Sequence, residues 1–337
     1  MKKAVVFAGL IAFLYLVGCT SKKEEKEESV KFKVTNPIVL DTAFTKEYVS
    51  QIRSIRNIEI RAVEKGYLQN IYVDEGQYVN AGQVLFRIMP KMYQAELLKA
   101  QSEMKAAEIE LLNSKTLADK NIVSKSEQAM AQAKLDQARA EVAMAKLHLS
   151  FTEIKAPFSG TIDRIPKKLG SLIDEGELLT SLSDNSKMFA YFNVSEPEYL
   201  DYQTNTKDRG DSTVSLLLAN GKPLQYKGKV EVIESEFDNE TGNIAFRASF
   251  PNHDKLLRNG ETGKVLMTVP VKNALIIPQK ATYEIQDKKY VFVVENNVVK
   301  SVEITVTGSL PDLYIVQSGI TAKDKVLLEG VQKVKEN

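Results

Sequence analysis

Two stretches of the chain place apolar or small residues at alternating steps of four and three. Tyr93, Leu97, Ala100, Met104, Ala107, Leu111 and Ser114 make the first series, and Gln128, Ala131, Leu135, Ala138, Val142, Ala145 and Leu149 the second. Lysine and glutamate fill the positions between, so each series predicts one apolar seam on an α-helix. Pro90 is suited to opening the first helix, and neither arm contains glycine. Ser124 followed by Glu127 gives a cap and its partner for the second helix, which places the turn near residues 119–123. The two series predict an antiparallel coiled-coil hairpin over residues 91–150, with arms of about 25 residues and a length of roughly 38 Å.

The segments on either side of the hairpin repeat one another. Gly66-Tyr67-Leu68-Gln69-Asn70-Ile71 aligns with Gly160-Thr161-Ile162-Asp163-Arg164-Ile165, an offset of 94 residues. The same offset pairs Gly76 with Gly170, Val79 with Ile173, Gly82 with Gly176 and Leu85 with Leu179. Glycines at such places permit tight turns between short strands, and apolar residues at period two face inward. Neither half has enough apolar surface to stand alone, so the repeat predicts one small β-sandwich split by the hairpin.

Beyond residue 186 the periodicity becomes that of strands. Val214 to Leu218, Gly228 to Ile233, Ala245 to Phe250 and Gly263 to Val269 read as strands separated by turns such as Asn220-Gly221 and Asn259-Gly260. Ser195 and Pro197 predict a short helix after the strand at Phe189 to Val194. With Thr45 to Ile58 these form a β-barrel. Ala274 to Pro278 starts a further β-rich unit with Tyr290 to Val294, a turn at Asn296-Asn297, Val298 to Val306 and Val326 to Leu328, joined by Val30 to Val39.

The N-terminus changes the picture from a soluble chain to an anchored one. Lys2 and Lys3 precede an apolar run from Ala4 to Val17. That is short of the roughly 20 residues that span a bilayer and fits the core of a secretory signal. It ends in Leu16-Val17-Gly18-Cys19, the single cysteine of the chain. This tetrad resembles a bacterial lipobox, which implies lipid attachment at Cys19 and removal of residues 1–18. Residues 19–29, rich in lysine and glutamate, read as a hydrated tether.

Composition mainly excludes. Lys+Arg is 45 against Asp+Glu 44, so no basic excess exists to hold a nucleic-acid backbone. The two histidines are His148, just outside the seam, and His253, in a turn-like segment. Neither is read as a catalytic residue or metal ligand, the methionines form no tight cluster, and no enzyme, metal or cofactor is expected.

Val73-Asp74-Glu75-Gly76-Gln77-Tyr78-Val79-Asn80-Ala81-Gly82-Gln83-Val84-Leu85 and Ile154-Lys155-Ala156-Pro157-Phe158-Ser159-Gly160 resemble the two halves of a biotinyl/lipoyl domain. A carrier domain joins its halves by a hairpin bearing the modified lysine, and here about 60 residues intervene. With the hairpin, the chain resembles the periplasmic adaptors, or membrane fusion proteins, of resistance-nodulation-division (RND) efflux pumps. The resemblance is strongest over residues 60–185. It implies a mainly β, elongated multidomain chain: residues 30–44 with 271–337 as the membrane-proximal β domain, 45–58 with 186–270 as the barrel, 59–90 with 151–185 as the lipoyl-like domain, and the hairpin. It implies a protein lipid-anchored to the inner membrane of a Gram-negative bacterium. There it links an RND transporter to an outer-membrane channel of the TolC type for export of small molecules, with six copies in the pump. The family's tip motif is Arg, three residues, Leu, six residues, Ser. Leu117 and Ser124 match it and Asn113 stands at the arginine position, which makes these three the docking residues. Ser124 is equally explained by capping. Other readings stay open on sequence alone: an adaptor for an ATP-driven (ABC) exporter or heavy-metal efflux pump, a lipid-anchored coiled-coil scaffold without transport role, and a biotin or lipoate carrier. The signal segment and the missing lysine turn oppose the last.

Overall fold

The computed structural model describes residues 31–204, 212–296 and 298–329. The signal segment, Cys19, the tether and Asn297 lie outside the described residues. Along the chain, β1 (Val34–Thr35), β2 (Ile38–Arg61), β3 (Gly66–Ile71), β4 (Tyr78–Val79) and β5 (Val84–Ile88) precede α1 (Lys91–Asp119) and α2 (Lys125–Phe151). There follow β6 (Glu153–Lys155), β7 (Gly160–Ile162), β8 (Leu172–Ile173), β9 (Leu178–Ser195), α3 (Glu196–Thr204), β10 (Thr213–Leu218), β11 (Gly228–Ile233), β12 (Asn243–Pro251) and β13 (Thr262–Pro278). The last elements are a 3-10 turn (Gln279–Ala281), β14 (Thr282–Ile285), β15 (Lys288–Glu295), β16 (Val298–Leu310), β17 (Leu313–Ser318) and β18 (Val326–Leu327). Two compact units result, one drawn from Met1–Phe44 with Val271–Asn337, the other Thr45–Pro270.

Within Thr45–Pro270, the two repeat halves share both sheets of one sandwich. In one sheet the order is β6-β5-β3-β8, and on the other side β4 pairs β7 and β7 pairs β9. Each half contributes to both sheets, with Gly66 opposite Ile173, Val84 opposite Lys155, and Val79 opposite Gly160. Leu68, Leu85, Phe86 and Ile88 from the first half meet Ile162, Ile173, Leu179 and Leu182 from the second in one core. This explains why neither half could close alone: in each sheet a neighbouring pair of strands from one half is flanked by strands of the other.

Four turns hold the sandwich, and they share one construction. Residues 74–77, 80–83, 168–171 and 174–177 each carry glycine in third place, with φ between 78° and 82°. That conformation strains any other residue and favours a type II turn. The fourth side chain then reaches back to accept the N–H of the first. Gln77, Gln83, Ser171 and Glu177 do this at 2.8, 3.0, 3.2 and 2.9 Å.

The barrel core is a second cluster, built on Phe192, Phe246, Phe250, Ile52 and Val265. Its strands run β13-β10-β11-β12-β9, with β2 pairing β9 from Ser50 opposite Phe192 to Arg61 opposite Leu178. Arg56 bonds Asp184, its cross-strand partner, at 2.6 Å. Burial pushes the Asp184 carboxyl up, but hydrogen bonds from Arg56 and Ser186 outweigh this and hold it below the usual carboxylate range.

In the other unit, β1 pairs β18, β15 lies between β14 and β16, and β17 pairs both β16 and the last residues of β13. Ile277, Val291, Ile304 and Val326 form its core. The sequence reading breaks β13 near residue 270, whereas the strand continues through Pro270 to Pro278. Asn273, at φ 51°, accommodates the irregularity, and its N–H donates to Asp41 Oδ1 at 2.7 Å. Strands β14 and β17 are absent from the sequence reading.

Candidate functional site

The hairpin is the element whose surface the folds around it leave uncovered. Its arms hold 29 and 27 residues, slightly longer than the seam alone predicts. All the predicted seam positions are buried or half-buried, and Ala107, Leu135 and Ala138 form its tightest cluster with Met104 and Leu111 against them. Alanine opposite leucine lets the helix axes approach closely. Outside the seam, Lys134 bridges from α2 to Glu110 on α1 at 2.5 Å.

The base of the hairpin is fixed by the loop between β2 and β3. Tyr93, in the first turn of α1, donates its hydroxyl to the Lys65 carbonyl at 2.9 Å. Burial pushes the Tyr93 phenol up, reinforced by the Glu64 carboxylate. His148, in the last turn of α2, lies with Nδ1 2.6 Å from Glu64 Oε1. Two adjacent loop residues therefore hold both feet of the hairpin. The histidine that sequence places outside the seam is a structural contact at this joint.

The tip is closed by backbone chemistry at both helix ends. Asn121 adopts φ 57°, its N–H bonds the Ala118 carbonyl, and the Ile122 N–H bonds the Leu117 carbonyl, each at 2.9 Å. This pair of bonds is a Schellman closure of α1 with Asn121 in the left-handed position. The turn spans residues 120–124, one residue later than predicted. Ser124 is extended and its Oγ accepts the Glu127 N–H at 3.2 Å, which caps α2. Asn113 lies on the exposed side of the last turns of α1, one helical turn before Leu117.

Leu117 is 38% exposed and Ile122 is 65% exposed. The tip thus presents two apolar side chains within a polar rim of Asn113, Asn121 and Ser124. Ile122 is missing from the sequence reading; a large apolar residue inside a polar turn is the signal that could have found it. Among the described residues no group of His, Cys, Asp or Glu could hold a metal ion.

The cap role of Ser124 is separable from any contact it makes. Ser124→Ala is expected to destabilise the start of α2 by about 1 kcal/mol, and Ser124→Gly by only a few tenths. Faster amide exchange at residues 125–128 in the alanine variant alone would show this; equal exchange in both would remove the cap from the account.

The sequence matches three family models: RND MFP barrel-sandwich hybrid domain over residues 56–183, RND MFPs beta-barrel domain over 187–271, and RND MFPs C-terminal permuted SH3 domain over 273–333. The efflux pump periplasmic linker BepD of Brucella suis biovar 1 is 30% identical over 319 residues, 87% of this chain and 80% of BepD. The solvent efflux pump periplasmic linker SrpA of Pseudomonas putida is 27% identical over 340 residues, 97% of this chain and 89% of SrpA. Among solved structures, a MacA-MexA chimera containing the Pseudomonas aeruginosa MexA α-hairpin domain superposes with a TM-score of 0.65 at 25% identity, over 85% of this chain and 97% of the chimera.

Proposed function

This chain belongs to the RND membrane fusion protein family, and from that premise we propose that it is the periplasmic adaptor of a tripartite efflux pump. It links an inner-membrane RND transporter to an outer-membrane channel of the TolC type, and it makes or breaks no bond. The observation that carries this reading is the hairpin tip, with Leu117 and Ile122 uncovered at the end of a two-helix arm whose feet are fixed on a β-sandwich. An arm so held can transmit position, and two apolar side chains in a polar rim suit a protein contact. In this proposal Leu117 and Ser124 dock on the channel. Asn113 stands where the family motif has arginine, so the tip offers a neutral amide donor in place of a bidentate cation. Cys19 carries the lipid that holds the protein at the inner membrane, residues 1–18 being the removed signal. The β domains at the ends of the chain face the transporter, and six copies complete the pump.

Photo-reactive residues placed in turn at Leu117 and Ser124, in cells, test the reading. Capture of an outer-membrane channel protein is expected from both positions. Capture from a site in the 271–329 unit but from neither tip position would leave the lipid-anchored scaffold as the better account.

A further inference from the structure

The groups at the hairpin tip are unequal as contact points. Ser124 commits its Oγ to the Glu127 N–H and belongs to the start of α2. Leu117 gives its carbonyl to the Ile122 N–H, and its side chain is the less exposed of the two apolar ones. Asn113 lies a helical turn further back along α1, away from the turn itself. Ile122 stands within the turn, between the left-handed Asn121 and the cap at Ser124, and 65% of it faces solvent.

Helix closure explains an apolar residue here only in part. In a Schellman motif the residue donating the outer N–H commonly packs on the one whose carbonyl accepts it, here Ile122 on Leu117. Such a contact covers one side of the residue, and most of Ile122 stays bare. The backbone beneath it is fixed by two hydrogen bonds at 2.9 Å and by Asn121 at φ 57°. A β-branched side chain is also stiff about its first torsion. Ile122 is therefore held outward on a turn with little freedom to fold it away, and burying it costs little ordering entropy. Lys120 and Lys125 flank it, both exposed and without an ion pair among the described residues. Asp119 is the carboxylate beside them, so residues 119–125 carry two cations against one anion.

We propose that Ile122 is the anchor of the tip contact, seated in an apolar socket of the channel with an acidic rim, and that Leu117 and Ser124 lie in the surround. The inference rests on the channel-docking reading of the tip. Binding energy at protein contacts concentrates in a few central side chains, ringed by near-neutral ones that keep water out. Serine is seldom such a centre, and here its oxygen already serves the cap. Association gains in proportion to the apolar area removed from water, and at the tip Ile122 has more of it to lose than Leu117. Lys120 and Lys125 steer rather than anchor: charges at the edge of a contact speed encounter and favour a partner of opposite sign. Asn113 supplies no charge where the family motif has arginine, so the hold on the channel shifts from that position to the turn. A bilayer is the poorer partner, because binding to a lipid surface takes a whole apolar helix face and the turn offers one such side chain beside Leu117.

Capture in living cells by a photo-reactive residue at Lys120 tests the anchor in the full chain. With the rest of the tip unaltered, an outer-membrane channel protein is expected to be labelled. Ile122→Ala should cut the labelled fraction by about tenfold or more. Ile122→Leu, which keeps the apolar bulk, should retain most of it. Ser124→Gly, which removes the hydroxyl and largely keeps the cap, should retain most of it too. Unchanged amide exchange at residues 117–121 shows that the turn survives the alanine; where it loosens, Ile122→Thr keeps the branched shape without the apolar end and repeats the test. Full capture from the Ile122 variants with the turn intact overturns the anchor, as does a loss from Ser124→Gly equal to that from Ile122→Ala. Label passing to lipid in place of protein overturns it in favour of a bilayer surface. Absence of channel capture from Lys120, Leu117 and Ser124 alike removes the docking reading and the anchor with it, a result distinct from capture that ignores Ile122.

Discussion

Aspartate in place of Leu135 is expected to abolish about half of the helical circular dichroism of the protein while the β signal persists. Among the described residues, helices α1 and α2 hold 29 and 27 residues against nine in α3, so the hairpin supplies nearly all of the helix there. Two helices in water share one seam, and Leu135 is at its centre with Ala107 and Ala138. Truncating a buried leucine costs about 2–5 kcal/mol. A carboxylate there adds the cost of an unpaired buried charge, which is larger still. The Lys and Glu pairs outside the seam are exposed and contribute only tenths of a kcal/mol each. Leu135→Met, which conserves volume, should cost less than about 1.5 kcal/mol and keep the signal. An unchanged 222 nm band in the aspartate variant would show that the arms are held by something other than this seam. In the adaptor reading, the aspartate variant also loses cross-linking from the tip.

Replacing Phe86 with alanine is expected to open the split sandwich while the 271–329 unit stays folded. Phe86 is fully buried in β5, where the two repeat halves share one core. Phe→Ala in such a place costs about 3–5 kcal/mol, which is comparable to the whole stability of a domain this small. A chain with several cores does not melt as one unit, so the measurement is local. Amides of β3, β5 and β6 should lose protection by several hundredfold, and those of β15 and β16 should keep theirs. Protection unchanged in β3 and β5 would mean that the halves are stable apart, against the core and the two sheets that they share.

The hairpin and the repeat were legible because each rests on a period that the chain repeats. The seam recurs in both arms, and the glycines recur at one offset. What stayed hidden depends on partners far apart or unlike in kind. Gln77, Gln83, Ser171 and Glu177 perform one task with three side-chain types, so no motif marks them. Glu64 meets His148 across 84 residues. At the tip, the spacing of Leu117 and Ser124 was readable, but Ile122 was not, because exposure in a turn is decided by the Schellman closure. Strand β13 was misread because Pro270 and Asn273 look like an end in sequence and are an accommodated irregularity in the sheet.

The position of the hairpin within the sandwich also bears on how the chain finds its fold. Arg87 and Glu153, which pair across β5 and β6, are 66 residues apart. Closing a flexible loop of that length, rather than one of a few residues, costs about 2 kcal/mol more in chain entropy. A helical hairpin makes only local contacts and forms early. Once α1 and α2 have zipped from the turn to the base, Lys91 and Phe151 are already neighbours, and β6 is delivered to β5 as if by a short connection. The insertion that parts the two halves along the chain is thus the clasp that brings them together, and the slow search for a long-range pairing becomes a fast local one.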